Sequence, residues 1–225
     1  MHLDILRCAL VAGLVLGAIG CDDHDTVDGG KTSSAGAGGA GVGGQDPGAP
    51  PTSPKALVKL KTALRFRGDV ARSLDLQENA VCNELGRFDC ASLHAVVMGD
   101  ADPYLSALYQ PLDVTSATSP LAYERVATSG CVARVDLDLG GSSPLIFKDL
   151  GVTGGALADP SSPAVAEAVR TLYRRALSRE ATEHEVATLT GAYPAVAALD
   201  PQTPARSWAL VSCVSVMTSL ENVFY

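Results

Sequence analysis

The chain opens on MHLDILRCALVAGLVLGAIGC, and the cysteine that closes this stretch constrains the fold more than any other residue. Arg7 and the free amino group give a weakly positive start, diluted by Asp4, and Cys8–Gly20 is then thirteen residues without a charge. At about 1.5 Å per residue, a helix of that length reaches roughly 20 Å, short of the roughly 30 Å hydrocarbon core, so the stretch reads as an export signal rather than a span. Ala18-Ile19-Gly20 places small residues before Cys21, as a bacterial lipobox does. Ala18 stands where Leu is usual, and with Gly20 it also fits the small-x-small site of ordinary signal peptidase. In the lipobox reading residues 1–20 are removed and Cys21 is acylated. Two or three chains, each contributing about 0.8 kcal/mol per buried methylene, then hold the protein on the inner or outer membrane of the cell envelope.

That compartment decides how the other cysteines read. Cys8 leaves with the signal and Cys21 carries lipid, so Cys82, Cys90, Cys131 and Cys213 remain, an even number in an oxidising environment. Two disulfides are expected, with three connectivities open. Cys82–Cys90 is the favoured short loop, which leaves Cys131–Cys213 as a long staple over some eighty residues. No C-x-x-C pair occurs, so the zinc spacings are not met.

Residues 21–54 follow as a tether. GAGGAGVGG and DPGAPPTSP have almost nothing to bury and read as disordered. Gly36–Gly41 fits G-x-G-x-x-G, but no strand precedes it and no helix follows, so low complexity explains it better than dinucleotide binding. Residues 55–225 remain, 171 in all, enough for one hydrophobic core. The formal charge of −8 divides equally between tether and domain, and no basic stripe appears, so the footprint of nucleic-acid binding is missing.

Within the domain, Ser53-Pro54, Asp102-Pro103, Ser119-Pro120 and Ser162-Pro163 each place a short polar cap before a proline, the signature of a helix start. The first helix is expected from Pro54 through Arg65, stopping before Gly68. Further helical pieces are expected around Leu76–Leu85, Cys90–Met98 and Pro103–Tyr109. Pro120 opens a longer one, although Gly130 weakens it and the Val135/Leu137/Leu139 alternation allows a strand. Gly140–Ser162 is a connector able to divide the domain into parts 55–139 and 163–225, with Pro144–Leu150 as an apolar segment pinned to the core. Beyond it, Val165, Val169, Leu172 and Ala176 repeat at helical spacing. Thr182 and Glu185 form a capping box, and a last helix from Trp208 to Phe224 is apolar nearly all round. The fold class expected is mainly α, a helical bundle with long irregular connectors and one or two short strands around 132–150.

Val169–Val186, VRTLYRRALSREATEHEV, resembles the helix–turn–helix of secreted bacterial domains found beside c-type cytochromes in planctomycetes and myxobacteria. The ending Ser219–Tyr225 is similar to their closing S-x-E-F-x-Y. CNELGRFDC, His94 and the Arg134–Asp138 run resemble myxobacterial envelope lipoproteins with a Gly-rich tether behind a lipobox. The resemblance implies no catalytic residue. It does imply that the protein could be an accessory to a periplasmic electron-transfer system, without haem of its own, because no C-x-x-C-H occurs.

His94, Asp100 and Asp102 are the one neighbourhood that joins histidine to carboxylates, a candidate metal or acid–base site for a metal-assisted hydrolase. Asp102 and Gly99-Asp100 also have plain roles as helix cap and turn. His184-Glu185 begins like H-E-x-x-H, but Thr188 holds the last position, and capping explains Glu185. Asp136 and Asp138 share a face on a strand and not on a helix. Arg170, Arg174, Arg175 and Arg179 form either a salt-bridged face or a surface for an acidic partner. No coherent catalytic constellation or cofactor motif emerges. The leading expectation is a non-enzymatic envelope lipoprotein, an interaction or structural module whose partners are the membrane and an envelope protein, with no nucleic acid.

Overall fold

Hydrophobic spacing in the domain is helical, and helices result. The computed structural model describes residues 59–84, 88–101, 104, 107, 109, 116–141 and 143–224. The signal, Cys21 and the whole tether lie outside these residues, as do Asp102 and Pro103.

Helix α1 spans Ala63–Leu74, with Ala63, Phe66, Val70, Ala71 and Leu74 buried along one stripe. This corrects the expected start at Pro54. Thr62 occupies the N-cap without capping, and the Asp100 carboxylate, arriving from another segment, accepts the Ala63 N–H at 3.0 Å. The helix then runs through Gly68 to Asp75, whose φ of 52° ends it. In place of the helical piece expected around Leu76–Leu85, a 3-10 turn at Glu78–Ala80 leads into a hairpin of β1 (Asn83–Glu84) and β2 (Phe88–Asp89). Helix α2 (Cys90–Leu93) is short, capped by Asp89, and turns close it at Gly99 with φ 85°.

Helix α3 is 21 residues, Ser119–Leu139, with Pro120 in its first turn. The alternation at Val135/Leu137/Leu139 is therefore helical. Gly130 does not interrupt α3. A Cβ there would stand 2.7 Å from Val70 Cγ1 and 3.2 Å from Leu74 Cδ1, so the missing side chain is what lets α1 approach. After α3 the chain buries Ile146, Phe147 and Leu150, as expected of the pinned segment. It then makes a second hairpin, β3 (Val152–Thr153) with β4 (Ala156–Leu157), turning on Gly154 and Gly155 with φ of 59° and 85°. Two successive positive φ values suit a two-residue hairpin turn and favour Gly at both positions. The short strands thus lie at 83–84, 88–89, 152–153 and 156–157, which corrects the expected position around 132–150, where 132–139 belong to α3.

Helix α4 (Pro163–Leu177) is capped by Ser162, and α5 (Glu183–Gly191) by the complete Thr182/Glu185 capping box. Between α5 and the last helix the chain adds one further helix, opened by Pro194. Pro194 sits in the first turn of α6 (Tyr193–Leu199), where a missing N–H costs nothing. The apolar C-terminal helix is divided at Thr218–Ser219 into α7 (Pro204–Met217) and α8 (Leu220–Val223). Residues on both sides of the connector join one buried cluster, with Trp208 and Phe66 at its heart. Phe147 meets Trp208 edge to face, and Phe66 meets Tyr123 likewise. No helix among the described residues is long and apolar enough to cross a membrane.

Contacts fix the helix directions. Phe66 meets Tyr123 near the start of both α1 and α3, and Arg134 Nη1 donates to the Leu74 carbonyl at 3.3 Å near the end of α1. These two helices therefore run parallel. Arg206 pairs with Asp136 at 2.9 Å, while Cys213 lies opposite Cys131, so α7 returns antiparallel to α3.

Candidate functional site

The residues singled out for chemistry do not converge on one cleft. His94 follows the last residue of α2 and lines a shallow depression of about 180 Å³ with Val97, Thr118, Leu121, Ala122 and Arg125. Asp100 is not in that lining. Its carboxylate faces the start of α1, receiving the Ala63 and Leu64 N–H groups and the Thr62 hydroxyl. Burial nevertheless raises its pKa above the ordinary carboxylate value, outweighing those hydrogen bonds. Beside it, burial pushes the Tyr123 hydroxyl up to about 12, helped by the Asp100 charge, and that hydroxyl donates to the carbonyls of Lys61 and Met98. Asp102 lies outside the described residues. Among the described residues no three His, Cys, Asp or Glu side chains are grouped to hold a metal ion.

Because α3 is helical, Asp136 and Asp138 diverge as expected of a helix. Asp136 points outward to Arg206, and Asp138 points into the core. Asp138 pairs with Arg134 at 2.8 Å and accepts the backbone N–H groups of Leu145, Ile146 and Phe147 at 2.7, 3.1 and 2.9 Å. Arg134 also donates to the carbonyls of Leu74 and Ser143. This network was missed from the sequence, where the run was read only for its resemblance and for the Asp136/Asp138 spacing. The signal present was an Arg and an Asp one helical turn apart amid apolar residues.

The four arginines of α4 and its end are engaged by their own chain. Arg170 binds Glu183, Arg174 binds Glu167 and Glu180, and Arg175 donates to the carbonyls of Ser73 and Arg72. Arg179 grips Glu185 and Glu221 together, its guanidinium 5.1 Å from the Tyr173 ring centre. Arg179 holds the Glu185 carboxyl down at about 2, and lowers Glu221 as well. This is the salt-bridged face of the two alternatives. His184 is exposed, and the Thr188 hydroxyl, at the place of the second histidine of a zinc-protease helix, donates to its carbonyl.

The cysteines stand at disulfide distance in two pairs, Cys82 with Cys90 and Cys131 with Cys213, with Cα separations of 5.2 and 5.8 Å. That is the favoured connectivity of the three. The lipidation candidate Cys21 lies outside the described residues. The chain matches no family model, no curated protein and no solved structure.

Proposed function

We propose that the chain is a cell-envelope lipoprotein, held on a membrane by acyl chains on Cys21, whose folded domain is a non-enzymatic interaction or structural module displayed on the 21–54 tether. The observation that carries this reading is the use the domain makes of its ionisable side chains. Asp100 serves the start of α1, Asp138 fixes three N–H groups of the connector, and Glu185 caps α5 while bound to Arg179. In an active site such groups converge on a cleft that substrate can enter; here they hold the domain's own backbone. The paired cysteines support export, because disulfides persist in oxidising compartments.

The experiment is in-cell crosslinking of the intact protein, followed by purification from the membrane fraction and elemental analysis. The expected result is a reproducible crosslink to an envelope protein and no stoichiometric metal. A stoichiometric metal lost in His94→Ala, together with a hydrolytic activity lost in the same variant, would overturn the reading in favour of the hydrolase alternative. The absence of any crosslinked partner would overturn the interaction role.

A further inference from the structure

One end of the domain gathers the point where the preceding chain enters. Leu60 pairs with Phe224 across an isolated bridge, Lys61 N–H donates to the Val223 carbonyl at 2.9 Å, and the Tyr123 hydroxyl donates to the Lys61 carbonyl. Since α1 and α3 are parallel and α7 returns antiparallel to α3, both N-termini and α8 lie at this end. Three large apolar side chains there face outward: Leu64 on α1 is 56 % exposed, Leu121 on α3 64 % and Leu220 on α8 74 %. Lys59, Arg65 and Arg125 are exposed at the same end, as is Glu221.

We propose that this end of the domain seats on the lipid surface, with Leu64, Leu121 and Leu220 entering the interface. The proposal rests on the lipoprotein reading and adds an orientation to it. What selects lipid as the occupant is where the undescribed chain ends: the 58 residues before Lys59, with the lipid site among them, join the domain beside these leucines. A flexible coil of 33 residues, the length of Asp22–Pro54, has a mean reach of roughly 30 Å, so an anchor on Cys21 would hold this end near the bilayer. Linkage at that length gives an effective concentration of roughly millimolar, so the leucines need only weak intrinsic affinity for lipid. Cations flanking the apolar residues complement anionic headgroups, the pattern of an interfacial surface.

The test uses full-length acylated protein reconstituted into vesicles of phosphatidylethanolamine and phosphatidylglycerol, with or without brominated acyl chains. Single substitutions Leu64→Trp, Leu121→Trp and Leu220→Trp report contact with lipid through quenching. Leu137→Trp and Leu199→Trp serve as controls on exposed leucines elsewhere, Leu137 lying about 24 Å along α3 from Leu121. Native Trp208 is fully buried and supplies a constant background. The expected result is about a twofold loss of the added emission at the three tether-end positions, as for side chains at the acyl boundary, and little loss at the controls. Equal quenching at all five positions, or none in vesicle-bound protein, overturns the orientation and leaves the lipoprotein reading standing. A preparation without acyl mass that does not float with vesicles overturns both.

Discussion

Asp138 lies one turn beyond Arg134 on α3, and the two side chains, 0 % and 1 % exposed, form an ion pair that ties the following connector to the core. Backbone holds both members: three N–H groups donate to the carboxylate and two carbonyls accept from Nη1 and Nη2 of the guanidinium, while Arg134 Nε is buried without a hydrogen-bond partner. A buried pair of this kind adds little net stability over an apolar replacement, but removal of one member strands the other charge.

Asp138→Ala is therefore expected to destabilise the domain by about 3–5 kcal/mol, because Arg134 is left buried and three amides lose their acceptor. Arg134→Met combined with Asp138→Leu is expected to recover part of that loss. Urea midpoints measure both; a single-variant loss within the range of a surface substitution would contradict the role of the pair.

Gly130→Ala sets two effects against each other. Alanine gains about 1 kcal/mol in helix propensity, while overpacking costs typically about 1–3 kcal/mol. Val70 Cγ1, at 2.7 Å from the new Cβ, belongs to a stiff branched side chain on a packed helix, so overpacking wins. A thermal melt should show a lower midpoint, and an unchanged or higher one would mean α1 can shift away.

The two cysteine pairs are expected to differ in what they contribute. Loop-closure entropy assigns about 4.5 kcal/mol to the separation of 82 and about 2.5 kcal/mol to the separation of 8. Denaturant midpoints of Cys131→Ala/Cys213→Ala and Cys82→Ala/Cys90→Ala compare them. The reverse order would show that the short loop holds more native structure than its length suggests.

Acid should weaken the α5–α8 junction. Arg179 depresses Glu185 from 4.5 to about 2 in the folded chain, so its contribution is complete above about 4.5 and lost as pH falls toward 2. Glu185 is partly solvated, which limits the effect to about 1 kcal/mol. Asp100 works in the opposite sense, since burial raises its pKa and protonation relieves the cost of its buried charge. Stability measured against pH in the native chain and in Arg179→Ala should diverge above pH 4.5 and converge near 2. Parallel curves would mean the clamp is idle.

Local signals were legible in the sequence. Ser162 before Pro163 and the Thr182/Glu185 box lie within one turn of the helices they start, and both cap as expected. The start of α1 was not legible, because its capping carboxylate comes from Asp100, 37 residues away. Helix α6 was not legible either: a proline such as Pro194 ends one helix or opens the next, and only the surrounding packing distinguishes the cases. Gly130 misled, since its reason is a contact with Val70. At the candidate site, the sequence placed His94 and Asp100 six residues apart, and packing turned one toward a surface depression and the other toward a helix end.

The most direct test of the account is the intact mass of native protein from the membrane fraction, before and after reduction. The account predicts a chain beginning at Cys21, heavier by its acyl groups, that gains four hydrogens when both cysteine pairs are reduced. A mass matching an unmodified chain from Met1, or one unchanged by reduction, would contradict it.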